Sequence, residues 1–412
     1  MVVLKYMRFP DSRTFLAVSV TALAGLTCFS ASANADQNDP TNPLIGKRQF
    51  MDCAASHDSS APKYNPWYFA RKHGKYATTI RKTAEVPQAK WFAGIQERPF
   101  RQVEKYLAGV DDPQWGGDRC STRLKLGQPD AYVGNYPIVA IRRLVNGSCE
   151  GMKRQKAGPY KAWIEAFIKQ SQMTFIPSQG RRYQYWQGKR FPYGTWAQTQ
   201  RQMTVILEPD AIGLMGARRS CLKRSQVPGR LALLSYAAKR LGETPGMNVY
   251  IDAGSSSWLK QNKVIDYLRK GGVAYTRGFA LGSTHFNRTS REIQFGNNIS
   301  RALGGKHYVV NTAENANGSL PKSRWGKYGS KATTCNPPNA GLGMQPTTHT
   351  GSPVADAFLW ISRPGLSSNG KNGNYNCGPK QGPLGNKMWL NKLLYEGRQA
   401  KFSKATWPPL PL

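Results

Sequence analysis

Seven short apolar runs, each followed by a polar or glycine-rich loop and then by a stretch of helical period, constrain this chain more than any other feature of its sequence. They are Ala89–Phe92, Pro137–Ile141, Thr204–Leu207, Met247–Ile251, Gly278–Leu281, His307–Val310 and Ala357–Ile361. Their apolar residues barely alternate with polar ones, as in strands covered on both faces of a parallel sheet. Between them, Tyr160–Gln172, Arg230–Leu241, Trp258–Arg269 and Ile293–Leu303 have the amphipathic period of crossover helices. Strand and helix in alternation predict a single α/β domain, and seven parallel strands can close into a barrel packed with side chains. No internal repeat and no linker rich in Pro, Ser or Thr divides residues 36–412, and the segment from Asp36 to about Tyr76 is expected to wrap the barrel.

Lys5, Arg8 and Arg13 precede an apolar run from Phe15 to Phe29 and then Ala33-Asn34-Ala35. That order of charge, apolar core and small-x-small site reads as an export signal over residues 1–35. The run is shorter than the roughly 20 residues a membrane-spanning helix needs, so no transmembrane segment is expected. The mature protein is then secreted, outside the cytoplasm or at the cell surface. Removing the signal takes Cys28 and leaves Cys53, Cys120, Cys149, Cys221, Cys335 and Cys377. Six cysteines without C-x-x-C spacing, in an oxidising compartment, suggest disulfides rather than zinc or a thiol nucleophile. The five histidines, at 57, 73, 285, 307 and 349, have no ligand spacing, so no metal is expected. No glycine-rich turn after a first strand suggests a dinucleotide, and no cofactor is expected.

Lys and Arg outnumber Asp and Glu by 58 to 23, a formal net charge of +35. Such a surface attracts anionic partners. The basic residues are spread along the chain and no nucleic-acid module is visible, which disfavours specific nucleic-acid binding. An anionic polymer or an acidic cell surface fits better.

In parallel α/β folds chemistry gathers at the carboxyl ends of the strands, where the loops converge. Here the third run ends in Glu208-Pro209-Asp210 and the fourth in Asp252-Ala253-Gly254; the sixth leads into Asn311-Thr312 and the seventh to Arg363-Pro364-Gly365. A carboxylate just past an apolar strand is partly desolvated, which raises its pKa and suits it to donate a proton near neutral pH. Asp210 and Asp252, on neighbouring strand ends, therefore mark the candidate site.

Asn42-Pro43-Leu44 with Gly46, Pro87–Trp91, Tyr160–Ala166, Val205–Asp210, Val249–Gly254 with Trp258, Gly278–Leu281, Gly304–Val310, Asn315–Gly318, Cys335-Asn336-Pro337-Pro338 and Asp356–Gly365 occur in one order along nearly the whole mature chain. Together they resemble glycoside hydrolase family 6, the inverting cellobiohydrolases and endoglucanases. The resemblance implies a distorted seven-stranded parallel β/α barrel that cleaves β-1,4-glucan with inversion. It makes Asp210 the general acid and Asp252 a support of the charge network beside it. Trp91 and Trp258 fall where the family stacks sugar rings, and Asn336 and Arg363, in matching motifs, join them as substrate-binding residues. The family's disulfides would map to Cys149 with Cys221 and Cys335 with Cys377, leaving Cys53 and Cys120 as a third pair. The expected partner is a polysaccharide, neutral or anionic, bound by a monomer.

The chain departs from the family at the cleft. Inverting hydrolysis needs a second carboxylate roughly 6.5–9.5 Å from the acid. The family's Arg-Asp before the first disulfide cysteine is Gly147-Ser148 here. Its Lys-Arg-Pro-Gly-Glu-Ser-Asp-Gly is Ser362-Arg363-Pro364-Gly365-Leu366-Ser367-Ser368-Asn369, and Ile141-Arg142 lies beside the first catalytic loop where the family has a tyrosine. Glu150, next to Cys149, is the candidate replacement carboxylate. Arg142, Arg143, Lys153 and Arg154 flank the altered loop and point to an anionic sugar. The alternative to a hydrolase is a carbohydrate-binding relative that holds an anionic polysaccharide on stacking aromatics and polar side chains. Basic and aromatic residues also interleave from Gln179 to Arg201, among them Arg181, Arg182, Tyr183, Tyr185, Trp186, Lys189, Arg190, Phe191, Tyr193 and Trp196. Such a segment can stack on sugars while neutralising anions, and its place before the third strand puts it on the face opposite the cleft.

Overall fold

The computed structural model describes residues 40–51, 66–93, 100–111, 135–145, 149–178, 183–186, 189–217, 222–324, 335–368, 382–383, 387–404 and 411–412. In chain order they form α1 (Pro66–Lys72), α2 (Ala77–Ala84), β1 (Lys90–Ala93), α3 (Phe100–Asp111), β2 (Ile138–Arg142), α4 (Cys149–Arg154) and α5 (Ala157–Ser171). Four short strands follow, β3 (Met173–Pro177), β4 (Tyr183–Trp186), β5 (Lys189–Pro192) and β6 (Gly194–Gln198). Then come β7 (Met203–Leu207), α6 (Ala211–Gly216), α7 (Val227–Gly242), β8 (Met247–Asp252), α8 (Gln261–Lys270), β9 (Gly278–Leu281), α9 (Thr289–Ala302), β10 (His307–Asn311), β11 (Ala355–Leu359) and α10 (Leu390–Arg398). No described helix is long and apolar enough to cross a membrane.

Seven parallel strands, in the order β1-β2-β7-β8-β9-β10-β11, make one curled sheet. Their side chains divide by parity, because successive residues of a strand point to opposite faces. Val139, Ile141, Val205, Leu207, Val249, Ile251, Phe279, Leu281, Tyr308 and Val310 pack in one cluster with residues of α3, α5, α7, α8 and α9. Ile138, Ala140, Ile206, Tyr250, Ala280, Val309, Ala357 and Leu359 pack with one another and with Leu44 and Leu412, and no helix contributes to that cluster. The second set is the inside of the curl. Small Ala140, Ala280 and Ala357 make room for Tyr250 there.

Among the described residues the ladder does not run across the seam between β1 and β11, and one backbone bond spans it, from Ala89 N to the Trp360 oxygen at 2.8 Å. At the amino ends, residues 44–50 run along the opening. Gln49 bridges Tyr136, and Leu412 exchanges backbone bonds with Gly46 and Lys47, with Gly46 at φ +71°.

The segment between α5 and β7 is a double antiparallel ribbon, β3 on β6 and β4 on β5. Its root is fixed at the amino-end side by Asp111 at the close of α3. Arg201 donates Nη1 to Asp111 Oδ1 and Nη2 to Oδ2, both at 2.6 Å, and the Phe175 N–H donates to Oδ2. The side chains of residues 179–192, including Trp186, lie outside the description.

Candidate functional site

Parity along the strands determines what reaches the carboxyl mouth of the curl. Trp91 follows Ala89, Arg142 follows Ala140, Asp252 follows Tyr250 and Asn311 follows Val309, each on the inner line. Beyond β7 the chain turns through Glu208-Pro209-Asp210 with φ +53° at Glu208 and +73° at Asp210, the two non-glycine residues of positive φ among the described ones. Such backbone costs about 1–3 kcal/mol per residue and persists where neighbours hold it.

The bracing is on both sides. Glu208 is fully buried, and its carboxylate accepts the N–H groups of Arg143 and Leu144 on both oxygens at 2.8–3.1 Å and the Tyr160 hydroxyl at 3.1 Å. Burial pushes its pKa up to about 7 against those bonds. On the other side, the Asp210 N–H donates to Asp252 Oδ1 at 3.0 Å, and so does Gly254. Asp252 is also pushed up to about 7, first by burial and then by the charge of Asp210.

The Asp210 side chain is aimed into the mouth by two donors. Arg142 Nη2 reaches Oδ2 at 2.9 Å, and Thr284 Oγ1 donates to Oδ1 at 2.5 Å. Arg142 Nε is separately held by the Pro209 oxygen at 3.1 Å. Thr284 also meets His285, whose ring lies 4.6 Å from that of Trp258 and whose pKa burial lowers, so that it stays neutral near pH 7. Trp258 sits over Gly213 of α6, where a Cβ would stand 2.4 Å from its ring. A cavity of about 1340 Å³ opens beyond Trp258 between α6, α7 and α8, and Asp210 does not line it.

The loops around this pair are tied together by buried amides and a carboxylate. Glu292 of α9, with Asn287, fixes Ser256 in the loop after β8. Asn311 donates to the Gly282 oxygen and to Ser362 Oγ, and its Oδ1 accepts the Ile361 and Ser362 N–H groups. Behind the loop after β11 lies a buried triad. Lys392 Nζ contacts Glu314 at 2.6 Å and Glu396 at 3.5 Å and donates to the Leu366 oxygen, while Glu396 accepts the Gly365 N–H. Burial opposes ionisation of Glu314, but Lys392 outweighs it and holds that carboxyl low; Glu396 is pushed well up by burial, with Glu314 adding to it against Lys392. Glu314 also bonds Ser362, which stands where the family pattern has lysine.

The expected substrate-binding residues fall in three places. Trp91 lies half-buried on the seam, its Nε1 donating to the Ile361 oxygen, with the Arg363 guanidinium 5.8 Å over its ring. Trp258 lies over Gly213 beside His285. Asn336, 3% exposed, donates to Ser367 Oγ and accepts the Ser368 N–H, so it braces the loop after β11. Cys335 is disulfide-bonded. The side chains of Cys53, Cys120, Cys149, Glu150, Cys221 and Cys377 lie outside the described residues, and so do the pairings expected of them. No group of three or more His, Cys, Asp or Glu side chains among the described residues could hold a metal ion. Arg142 and Thr284 are what the sequence reading missed as partners of Asp210. Counting by twos from Ile138 finds Arg142, whereas nothing in the local pattern marks Thr284.

A curled parallel sheet with paired carboxylates at its carboxyl mouth defines the class of β/α barrels with a strand-end site. The sequence model of glycosyl hydrolases family 6 matches residues 179–382. Endoglucanase A of Cellulomonas fimi is 34% identical over 215 residues, 51% of this chain and 42% of that protein. Endoglucanase A of Thermobispora bispora is 27% identical over 308 residues, 73% and 54% of the two chains. The chain thus spans about half the length of these curated relatives. Among solved structures, the endoglucanase Cel6 from Mycobacterium tuberculosis, in complex with a methyl-cellobiosyl thio-cellobioside, superposes with a TM-score of 0.62 at 25% identity, over 87% of this chain and 99% of that one. Endoglucanase CEL6B from Humicola insolens, 19% identical with a TM-score of 0.60 over 88% and 100%, shares the fold. The chain belongs to glycosyl hydrolases family 6.

Proposed function

We propose that the chain hydrolyses β-1,4-glucosidic bonds of a polysaccharide with inversion, and that Asp210 donates the proton. The observation that carries this reading is the aim of Asp210 into the carboxyl mouth from a braced, positive-φ turn, in a member of a family whose relatives are named endoglucanases. In the reaction the Asp210 proton passes to the glycosidic oxygen as its bond to C1 breaks. A water molecule adds to C1 from the opposite face, and its proton goes to a second carboxylate. That acceptor, in this reading, is Glu150 at the start of α4. Asp252 positions Asp210 through the backbone, and Trp91 and Trp258 carry sugar rings. Residues 1–35 act as an export signal and residues 36–412 as the secreted domain.

The test is reducing-end release from neutral and acidic β-1,4-glucans by the mature protein, Asp210→Asn and Glu150→Gln, with the product anomer read by NMR. Release of the inverted anomer that both variants lose is the expected result. A second reading, a carbohydrate-binding relative, is favoured by one observation: both Asp210 oxygens already accept hydrogen bonds. Glycan binding with no release by any form would establish it instead.

A further inference from the structure

We infer that Arg142 is a latch on Asp210 which a carboxylate borne by the sugar opens, so that the glycan this site cleaves is acidic. The inference rests on the hydrolase reading above and names its substrate class. A cationic N–H on a carboxyl oxygen opposes placing a proton on that oxygen. With Thr284 on Oδ1 and Arg142 on Oδ2, both Asp210 oxygens already hold a donor, and the cationic one must leave before Oδ2 serves the glycosidic oxygen.

Arg142 is built to be the one that moves. Two other buried or half-buried Arg–Asp pairs show the contrast. Arg201 grips Asp111 through two parallel bonds, and Arg277 grips Asp356 through Nε and Nη2 together. Arg142 gives Asp210 a single N–H, while its Nε holds the Pro209 oxygen. Releasing Nη2 therefore costs one bond and leaves the guanidinium anchored over the turn. The two side chains are 15% and 13% exposed, open enough for a ligand group yet shielded from bulk water.

A planar carboxylate on the sugar takes two parallel N–H groups of a guanidinium, which one oxygen of Asp210 does not. The exchange moves the cation from the acid to the substrate and frees Oδ2 for the glycosidic oxygen. The net charge of +35 attracts such polyanions to the protein. A neutral glucan offers nothing to draw Arg142 away.

The experiment compares cello-oligosaccharides with their C6-oxidised, carboxylate-bearing counterparts. Wild type, Arg142→Gln and Arg142→Lys are assayed for kcat/KM on both, and binding of both is measured by calorimetry at low and physiological salt. Wild type should favour the oxidised substrate by about tenfold or more, as a charge-assisted bond pair warrants. Arg142→Gln should erase that ratio, with a gain on the neutral substrate. Arg142→Lys, which keeps the charge without the fork, should retain part of it, and it serves as the reading if the Gln variant does not fold. Equal wild-type rates on the two substrates, or a ratio that neither variant changes, overturn the inference. Cleavage of neither substrate sinks the hydrolase reading itself. Calorimetry then decides the role of Arg142: carboxylate-selective affinity lost in Arg142→Gln keeps it as the sensor of the acidic group, and equal affinities overturn it.

Discussion

Each end of the barrel carries an aspartate held by an arginine, and the two are built differently. At the amino end Asp356 lies in the β10–β11 register shift, 2% exposed. Its oxygens accept Arg277 through two bonds, His307 at 2.9 Å and the Tyr250 hydroxyl at 2.6 Å. At the carboxyl end Asp210 accepts one bond per oxygen, stands on positive-φ backbone and keeps its side chain 13% exposed. Saturated charge at one end closes the fold, and at the other each oxygen holds a single bond that a ligand can exchange.

The largest effects should separate the two ends cleanly. Asp356→Ala strands Arg277 among buried partners, and chemical denaturation should show a loss of about 3 kcal/mol. Asp210→Asn should cost under about 1 kcal/mol in the same assay while lowering turnover about a thousandfold. Equal stability losses at the two sites would erase the distinction. Lys392→Met belongs with Asp356 although it lies behind the mouth. It leaves Glu314 and Glu396 buried without their cation and should also cost about 3 kcal/mol.

The ends should also tilt stability with pH in opposite directions. Burial opposes ionisation of Asp356, but Arg277, His307 and Tyr250 outweigh it and hold its pKa below the ordinary value. Its contribution is therefore present above the unfolded value of about 3.9 and lost as pH falls through the folded one. Asp252 and Glu208, raised to about 7, keep protons that the unfolded chain has released. Their contribution is full below about pH 4 and declines as pH rises toward 7. A tenfold difference in proton affinity corresponds to about 1.4 kcal/mol, so the decline is measurable. Asp252→Asn should flatten it between pH 4 and 7, and Asp356→Asn should remove only the loss on the acid side.

The saturated half of the molecule was the more legible from sequence. All seven runs became strands within a few residues of their expected bounds, because strands buried on both faces leave an unbroken apolar signal. The residues that brace the site left weaker traces. Arg142 reads as one cation among several flanking a loop, until strand parity places it on the inner face. Lys392 sits in a short helix and looks like a surface lysine, since its burial is set by Glu314, some eighty residues upstream. The ribbon from β3 to β6 reads as a basic aromatic segment without defined structure, because its strands pair with each other and not with the sheet. Local pattern records what a strand buries and not which distant group arrives to meet it.

The smallest predicted effect probes the mouth without touching a charge. Gly213 lies inside α6, where alanine is normally the better helix former by about 1 kcal/mol. An added Cβ there would stand 2.4 Å from Cε3 and Cζ3 of Trp258, so the ring must shift. Because Trp258 borders open space on one side, the shift should cost little stability and should instead disturb sugar stacking. Gly213→Ala is expected to leave the thermal midpoint within a few degrees and raise KM about tenfold, with kcat reduced less. Gly158→Ala in α5, where a Cβ meets nothing within 4 Å, is the control and should leave both kinetic constants alone. A lower midpoint with unchanged KM in Gly213→Ala would make Trp258 part of the packing, and the open end of the barrel would lose one of its two proposed sugar platforms.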